Sequence, residues 1–281
     1  MSMSSPENGL RPEGHRSAPP AAGAAPPAGA STVTTDGPDA LLNRHAAVLA
    51  RIAAACAAAG RHPGSVTLLA VSKTFDADAV VALAAAGQRA FGENYVQEAL
   101  PKMAAARDRW ATRASGRSDD ALQWHFIGPL QANKTRAVAE QFDWCHSVDR
   151  ERIARRLSEQ RPAERPPLQV CLQIDVSGEA TKGGCAPHEA PDLARAVAAL
   201  PGLRLRGVMA IPAPTDDPVL QRAQFARVRA VCEAIRAAGV PVDTVSMGMS
   251  GDLEAAIAEG STLVRVGTAL FGARPARTRE A

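Results

Sequence analysis

Two patterns of apolar residues alternate along this chain. Stretches such as PDALLNRHAAVLARIAAACAAAG, residues 38–60, carry apolar residues at helical spacing and stop at a glycine. Between them lie short apolar runs, of which SVTLLAVSK, 65–73, is the first. The spacing predicts helices at about 38–60, 76–86, 95–106, 131–141, 150–160, 187–199, 217–238 and 251–259. It predicts strands within 65–73, 88–94, 122–128, 143–148, 168–176, 203–211, 243–247 and 262–267. Helices separate all eight strands, and eight parallel β-α units close naturally into a barrel. The expected fold is therefore α/β, a single (β/α)8 barrel. An open doubly wound sheet is the rival. It usually has fewer strands and a Gly-rich first turn, and the first turn here, SKTFDAD, has no glycine and so no dinucleotide fingerprint.

The barrel is expected to occupy residues 37–281. Residues 1–36, with stretches such as APPAAGAAPPAGAST, bury too little apolar surface to offset their ordering entropy and are expected to be a disordered tail. The length of 281 residues suits one barrel of about 250. A formal charge of +3 without a dense Lys/Arg run argues against nucleic acid as a partner. Five scattered cysteines, an odd number with no C-x-x-C pair, argue against a disulfide framework or a zinc site and fit a reducing cytoplasm. No apolar run reaches the roughly 18 residues of a membrane span, and the first residues lack the apolar segment of a secretory signal. With no long exposed apolar stripe in the pattern, a monomer is expected.

In such barrels the site lies at the strands' C-terminal ends. The polar residues there include Lys73, Glu93, Asn94, Tyr95, His125, His146, Ser246, Met247, Arg265, Gly267 and Thr268. The loops after strands seven and eight, SMGMSGD and VGTALFG, are short, Gly-rich and hydroxyl-bearing. Backbone N–H groups at such helix starts bind phosphate, although tight turns alone also call for these glycines. Alternation puts Leu263, Arg265 and Gly267 on one face of strand eight. If that face points inward, the guanidinium needs either a structural carboxylate or an acceptor on a ligand. Lys73 ends strand one and is expected across from this predicted pocket. A lysine near a phosphate site suggests pyridoxal phosphate (PLP) held as a Schiff base. A snorkelling strand-end lysine and a direct phosphate ligand are the alternatives.

At these positions the sequence resembles a known family. The pieces LLAVSK, FGENYVQE, WHFIGPLQANK, HSVDR, GVMAIPAP, SMGMSGDLEAAI and STLVRVGTALFGAR occur in order from about residue 41 to 274. Together they resemble the YggS/PROSC family of pyridoxal phosphate-binding proteins, the pyridoxal phosphate homeostasis proteins. The resemblance implies a barrel like the N-terminal domain of alanine racemase, with the cofactor on Lys73. It implies phosphate contacts from Ser246, Met247, Gly267 and Thr268, an arginine facing the pyridine nitrogen at Arg265, and Asn94 at the pocket wall. The family's lysine in the loop after strand five is matched by Lys182.

The resemblance implies a cofactor carrier that buffers PLP and delivers it to PLP-dependent apoenzymes, and residue chemistry points the same way. A racemase on this fold needs a second base, which the racemases take from a separate C-terminal β-domain. The sequence runs about 14 residues past the last predicted strand, so no such domain is expected. The single tyrosine, Tyr95, is as readily a packing residue, and His125 and His146 are more readily structural than catalytic. An arginine at the pyridine nitrogen leaves the ring a weak electron sink. A slow PLP-dependent amino acid racemase is the enzyme alternative.

Overall fold

The computed structural model describes residues 38–113, 120–177 and 183–272. The expected tail, 1–36, and Lys182 lie outside the described residues. All eight expected strands form: β1 (Thr67–Val71), β2 (Ala90–Glu93), β3 (Gln123–Phe126), β4 (Trp144–Val148), β5 (Leu168–Gln173), β6 (Leu203–Met209), β7 (Thr244–Ser246) and β8 (Leu263–Val266). Each pairs in parallel with the next, and β8 pairs back onto β1 with Leu69 opposite Arg265, which closes the barrel.

The helices outside it are α1 (Pro38–Ala58), α2 (Ala77–Ala85), α3 (Val96–Ala111), α4 (Thr135–Gln141), α5 (Glu151–Glu159), α6 (Ala190–Ala198), α7 (Pro218–Ala237), α8 (Leu253–Ala258) and a short α9 (Thr268–Phe271). Local signals start and stop them. The Asp217 carboxylate accepts from the Val219 and Leu220 N–H groups at the start of α7, and Pro218 occupies its first turn. Gly239, at φ +84°, ends it in the left-handed region that other residues avoid. Helix α3 runs five residues beyond the predicted end at 106. Its buried stripe of Ala99, Met103 and Ala106 continues to Trp110, whose indole N–H donates to the Asp120 carbonyl at 2.6 Å.

Burial separates the two faces of every strand. Outward residues such as Leu68, Ala70, Phe91, Trp124, Cys145, Val170, Val208 and Val264 join the helices in one large core. Inward residues form two small separate clusters, Leu69 with Ala90 and Leu263, and Trp144 with Cys171 and Met209. By the same alternation His125, His146, Ser246 and Arg265 point into the barrel. The remaining inner space is therefore lined by polar side chains, where apolar branched ones commonly dominate. No helix among the described residues is long and apolar enough to cross a membrane.

Candidate functional site

Strand β1 stops at Val71, so Lys73 stands two residues beyond it, not on the strand end the pattern predicts. A turn explains the difference. The Ser72 N–H still bonds the Gly92 carbonyl, the Phe75 N–H bonds back to the Ser72 carbonyl, and Thr74 takes φ +70°. This is a strained angle for a β-branched residue. Lys73 keeps the inward parity of Leu69 and Val71 and is half-buried.

The turn is anchored from behind by a buried network that the linear pattern did not reveal. Lys102, on α3, donates to the Ser72 carbonyl at 2.8 Å and to Glu93 Oε1 at 2.7 Å. The Ser72 hydroxyl donates to the same carboxylate oxygen at 2.6 Å. Glu93 is 1% exposed, and desolvation raises its pKa against the lowering pull of Lys102 and Ser72. Glu93 has outward parity at the end of β2, which is the signal that it meets a helix and not the barrel mouth.

Asn94, the next residue, has inward parity. Its Oδ1 is buried and accepts no hydrogen bond among the described residues. Gly128 makes this position possible: a Cβ there would lie 2.1 Å from the Asn94 carbonyl oxygen, so only glycine lets the loop after β3 pass so close. Ser147 fastens that loop by donating to the Gly128 carbonyl at 2.6 Å.

On β8, which pairs with β1, Arg265 is 4% exposed. Its Nη1 donates to the Ser246 carbonyl at 2.7 Å and to Ser246 Oγ at 2.8 Å, and its Nη2 donates to the Ala210 carbonyl at 2.9 Å. All three acceptors are neutral, so among the described residues the guanidinium is held without an ion pair. Burial pushes its pKa down to about 10, which leaves it cationic at neutral pH. Ser246 Oγ also meets His146 Nδ1 at 3.0 Å, and His146 Nε2 meets His125 Nδ1 at 3.0 Å. Burial lowers the pKa of His125 to about 3 and that of His146 well below its usual value, so both rings are neutral. Trp144 stacks on His125, with ring centroids 5.0 Å apart.

The remaining expected contacts divide. Met247 is fully buried; its N–H bonds the Leu263 carbonyl and its own carbonyl accepts from the Ser261 hydroxyl. Its side chain belongs to the outer core. Gly267 caps α9 and Thr268 begins it, exposed at the rim. Ser250 Oγ accepts from the Ala269 N–H at 3.3 Å and so ties the loop after β7 to the loop after β8. The Leu270 and Phe271 N–H groups bond the Gly267 carbonyl, and the start of α9 with these loops forms the polar end of the mouth. Tyr95 is 54% exposed.

This donor set fits PLP. It offers a half-buried amine, a buried amide oxygen with an open acceptor site, a desolvated cation without a carboxylate partner and a loop pair suited to a phosphate. Among the described residues no cluster of His, Cys, Asp or Glu suits a metal ion.

Comparison with known proteins agrees. The model of the alanine racemase N-terminal domain matches residues 46–275. A pyridoxal phosphate homeostasis protein of Pseudomonas aeruginosa is 60% identical over 229 residues, covering 82% of this chain and 94% of that protein. One from Escherichia coli is 55% identical over 225 residues, covering 80% and 92%. The chain belongs to this family of pyridoxal phosphate homeostasis proteins. A solved structure of another relative, PipY from Synechococcus elongatus with PLP bound, is 34% identical, with a TM-score of 0.67 over 83% of this chain and 100% of that one.

Proposed function

We propose that this protein binds PLP at the barrel mouth and serves its homeostasis, taking up the free cofactor and releasing it to PLP-dependent apoenzymes. One observation carries the reading: Lys73 and the open Asn94 Oδ1, just past β1 and β2, and the ion-pair-free Arg265, on the neighbouring β8, share inward parity. The family's name and the PLP in the PipY structure support it. PLP would supply an aldehyde there, Lys73 would be the amine that holds it, and Arg265 would face the ring as a fixed cation. Gly267 and Thr268 offer backbone N–H groups to the phosphate. The Ser246 hydroxyl is engaged by Arg265 and His146, so its part is to hold Arg265.

The same geometry favours a carrier over an enzyme. A racemase or lyase needs a base poised at the substrate. His125 and His146 are buried, neutral and bonded to one another, and Tyr95 points out to solvent. Binding without a group that favours the transition state over the ground state is binding alone.

Absorbance of the wild type and Lys73→Ala, before and after borohydride, tests the site. The wild type should be yellow and be trapped at Lys73, and the variant colourless. A wild type that stays colourless with added PLP would overturn the reading. Incubation with amino acids in heavy water tests the carrier: exchange at the α-carbon would make the protein an enzyme.

A further inference from the structure

The chain of contacts from β3 to β8 runs in one direction. Arg265 has only N–H groups to give, so Ser246 Oγ must accept from it. The single Ser246 hydroxyl hydrogen then has one acceptor among the described residues, His146 Nδ1. A neutral His146 that accepts at Nδ1 carries its hydrogen on Nε2, which donates to His125 Nδ1. Neutral His125 likewise carries its hydrogen on Nε2, which has no partner among the described residues. The reverse direction would leave two groups unsatisfied, the Ser246 hydroxyl hydrogen without an acceptor and His125 Nε2 without a donor, against the single His125 Nε2–H in this one. The direction with fewer unpaired buried groups costs less.

We infer that His146, backed by His125, is a positioning residue that acts through Ser246. It takes the hydroxyl hydrogen, leaves Ser246 Oγ with lone pairs only toward β8, and so fixes the Arg265 guanidinium at the mouth. The charged groups around it agree. Arg265 faces it from β7's neighbour, Cys171 and Asp252 act on Arg265 through space, and no carboxylate bonds either ring among the described residues. A protonated histidine would set a second buried cation against Arg265. Trp144 and Arg206 extend the column, with the Arg206 guanidinium 4.8 Å above the Trp144 ring and the Trp144 ring on His125.

The direction of the chain is tested independently of the cofactor. Long-range 15N NMR of histidine-labelled protein, with His125→Asn and His146→Asn for assignment, reports tautomer and charge. Both rings should be neutral Nε2–H tautomers down to about pH 5. A hydrogen on His146 Nδ1, or titration of either ring near pH 6.5, overturns the proposal. The consequence for Arg265 rests on PLP binding. His146→Leu should weaken PLP binding about tenfold. His146→Asn, whose amide oxygen can take the place of Nδ1, should restore most of it. In a Ser246→Ala background His146→Leu should have no further effect. Additive losses would make His146 merely structural. No PLP binding by the wild type would sink the functional reading and leave the NMR test standing.

Discussion

The anchor behind Lys73 makes a sharp prediction at Lys102. Its side chain is 9% exposed and that of Glu93 is 1% exposed, with 2.7 Å between Nζ and Oε1. At an effective dielectric constant near 20, the attraction at that distance is about 6 kcal/mol. Desolvating two charges costs several kcal/mol each, so the intact pair contributes little net stability. Removing one partner is different, because the other charge stays buried. Lys102→Met should cost about 3 to 5 kcal/mol at neutral pH. For a barrel of this size that is a fall in Tm of roughly 6 to 20 °C.

The loss should depend on pH. Glu93 already has a raised folded pKa, and Lys102 is the largest influence holding it down. A carboxyl whose folded pKa lies above its unfolded value binds its proton more tightly when folded. Its contribution is present below the unfolded pKa of about 4.5 and is lost as pH rises through the folded pKa. Without Lys102 the folded pKa climbs and this window widens, so Lys102→Met should be closest to wild type in acid and weakest above neutrality. Urea unfolding of the wild type, Lys102→Met and Lys102→Met/Glu93→Gln from acid to mildly alkaline pH reads this directly. The double variant should recover stability at high pH. A loss that is the same at every pH, or a double variant no better than the single one, would refute the reasoning.

Other positions give shorter tests. Gly128→Ala forces a Cβ to within 2.1 Å of the Asn94 carbonyl oxygen, which backbone must absorb; it should destabilise by about 1 to 3 kcal/mol in urea and weaken PLP binding through Asn94. Thr74→Asn keeps the φ of +70° with a residue that tolerates it, so calorimetry should find it more stable by up to about 1 kcal/mol. His125 has a folded pKa near 3, below the unfolded value of 6.5, so its contribution is full above pH 6.5 and is lost as pH falls toward 3. That slope opposes the one from Glu93, and His125→Asn should flatten the acid limb of the urea midpoint.

How much of this was legible in the sequence follows from the range of each interaction. Strand parity is local, and it was enough to put Leu263, Arg265 and Gly267 on one face before any fold was known; the closed barrel turns that face inward. The eight alternating periods were also enough for the barrel. The end of β1 differs by two residues because LLAVSK carries no sign of a turn; the contacts of Ser72 with Gly92 and Lys102, which frame the turn where Thr74 takes its left-handed angle, are long-range. The column inside the barrel was out of reach, since His146 and Ser246 are 100 residues apart and meet only after closure. The same distance explains what the column is for. Branched apolar residues on β3, β4 and β7 would fill that space at lower desolvation cost, yet they would take the Ser246 hydroxyl from Arg265 and leave it only the Ser246 and Ala210 main-chain carbonyls. A buried cation without a carboxylate must be held by neutral acceptors, and each acceptor must be oriented by a neighbour. The two histidines are the inner part of that support. Their burial and neutrality, which disqualify them as bases, are what a fixed guanidinium at the mouth requires.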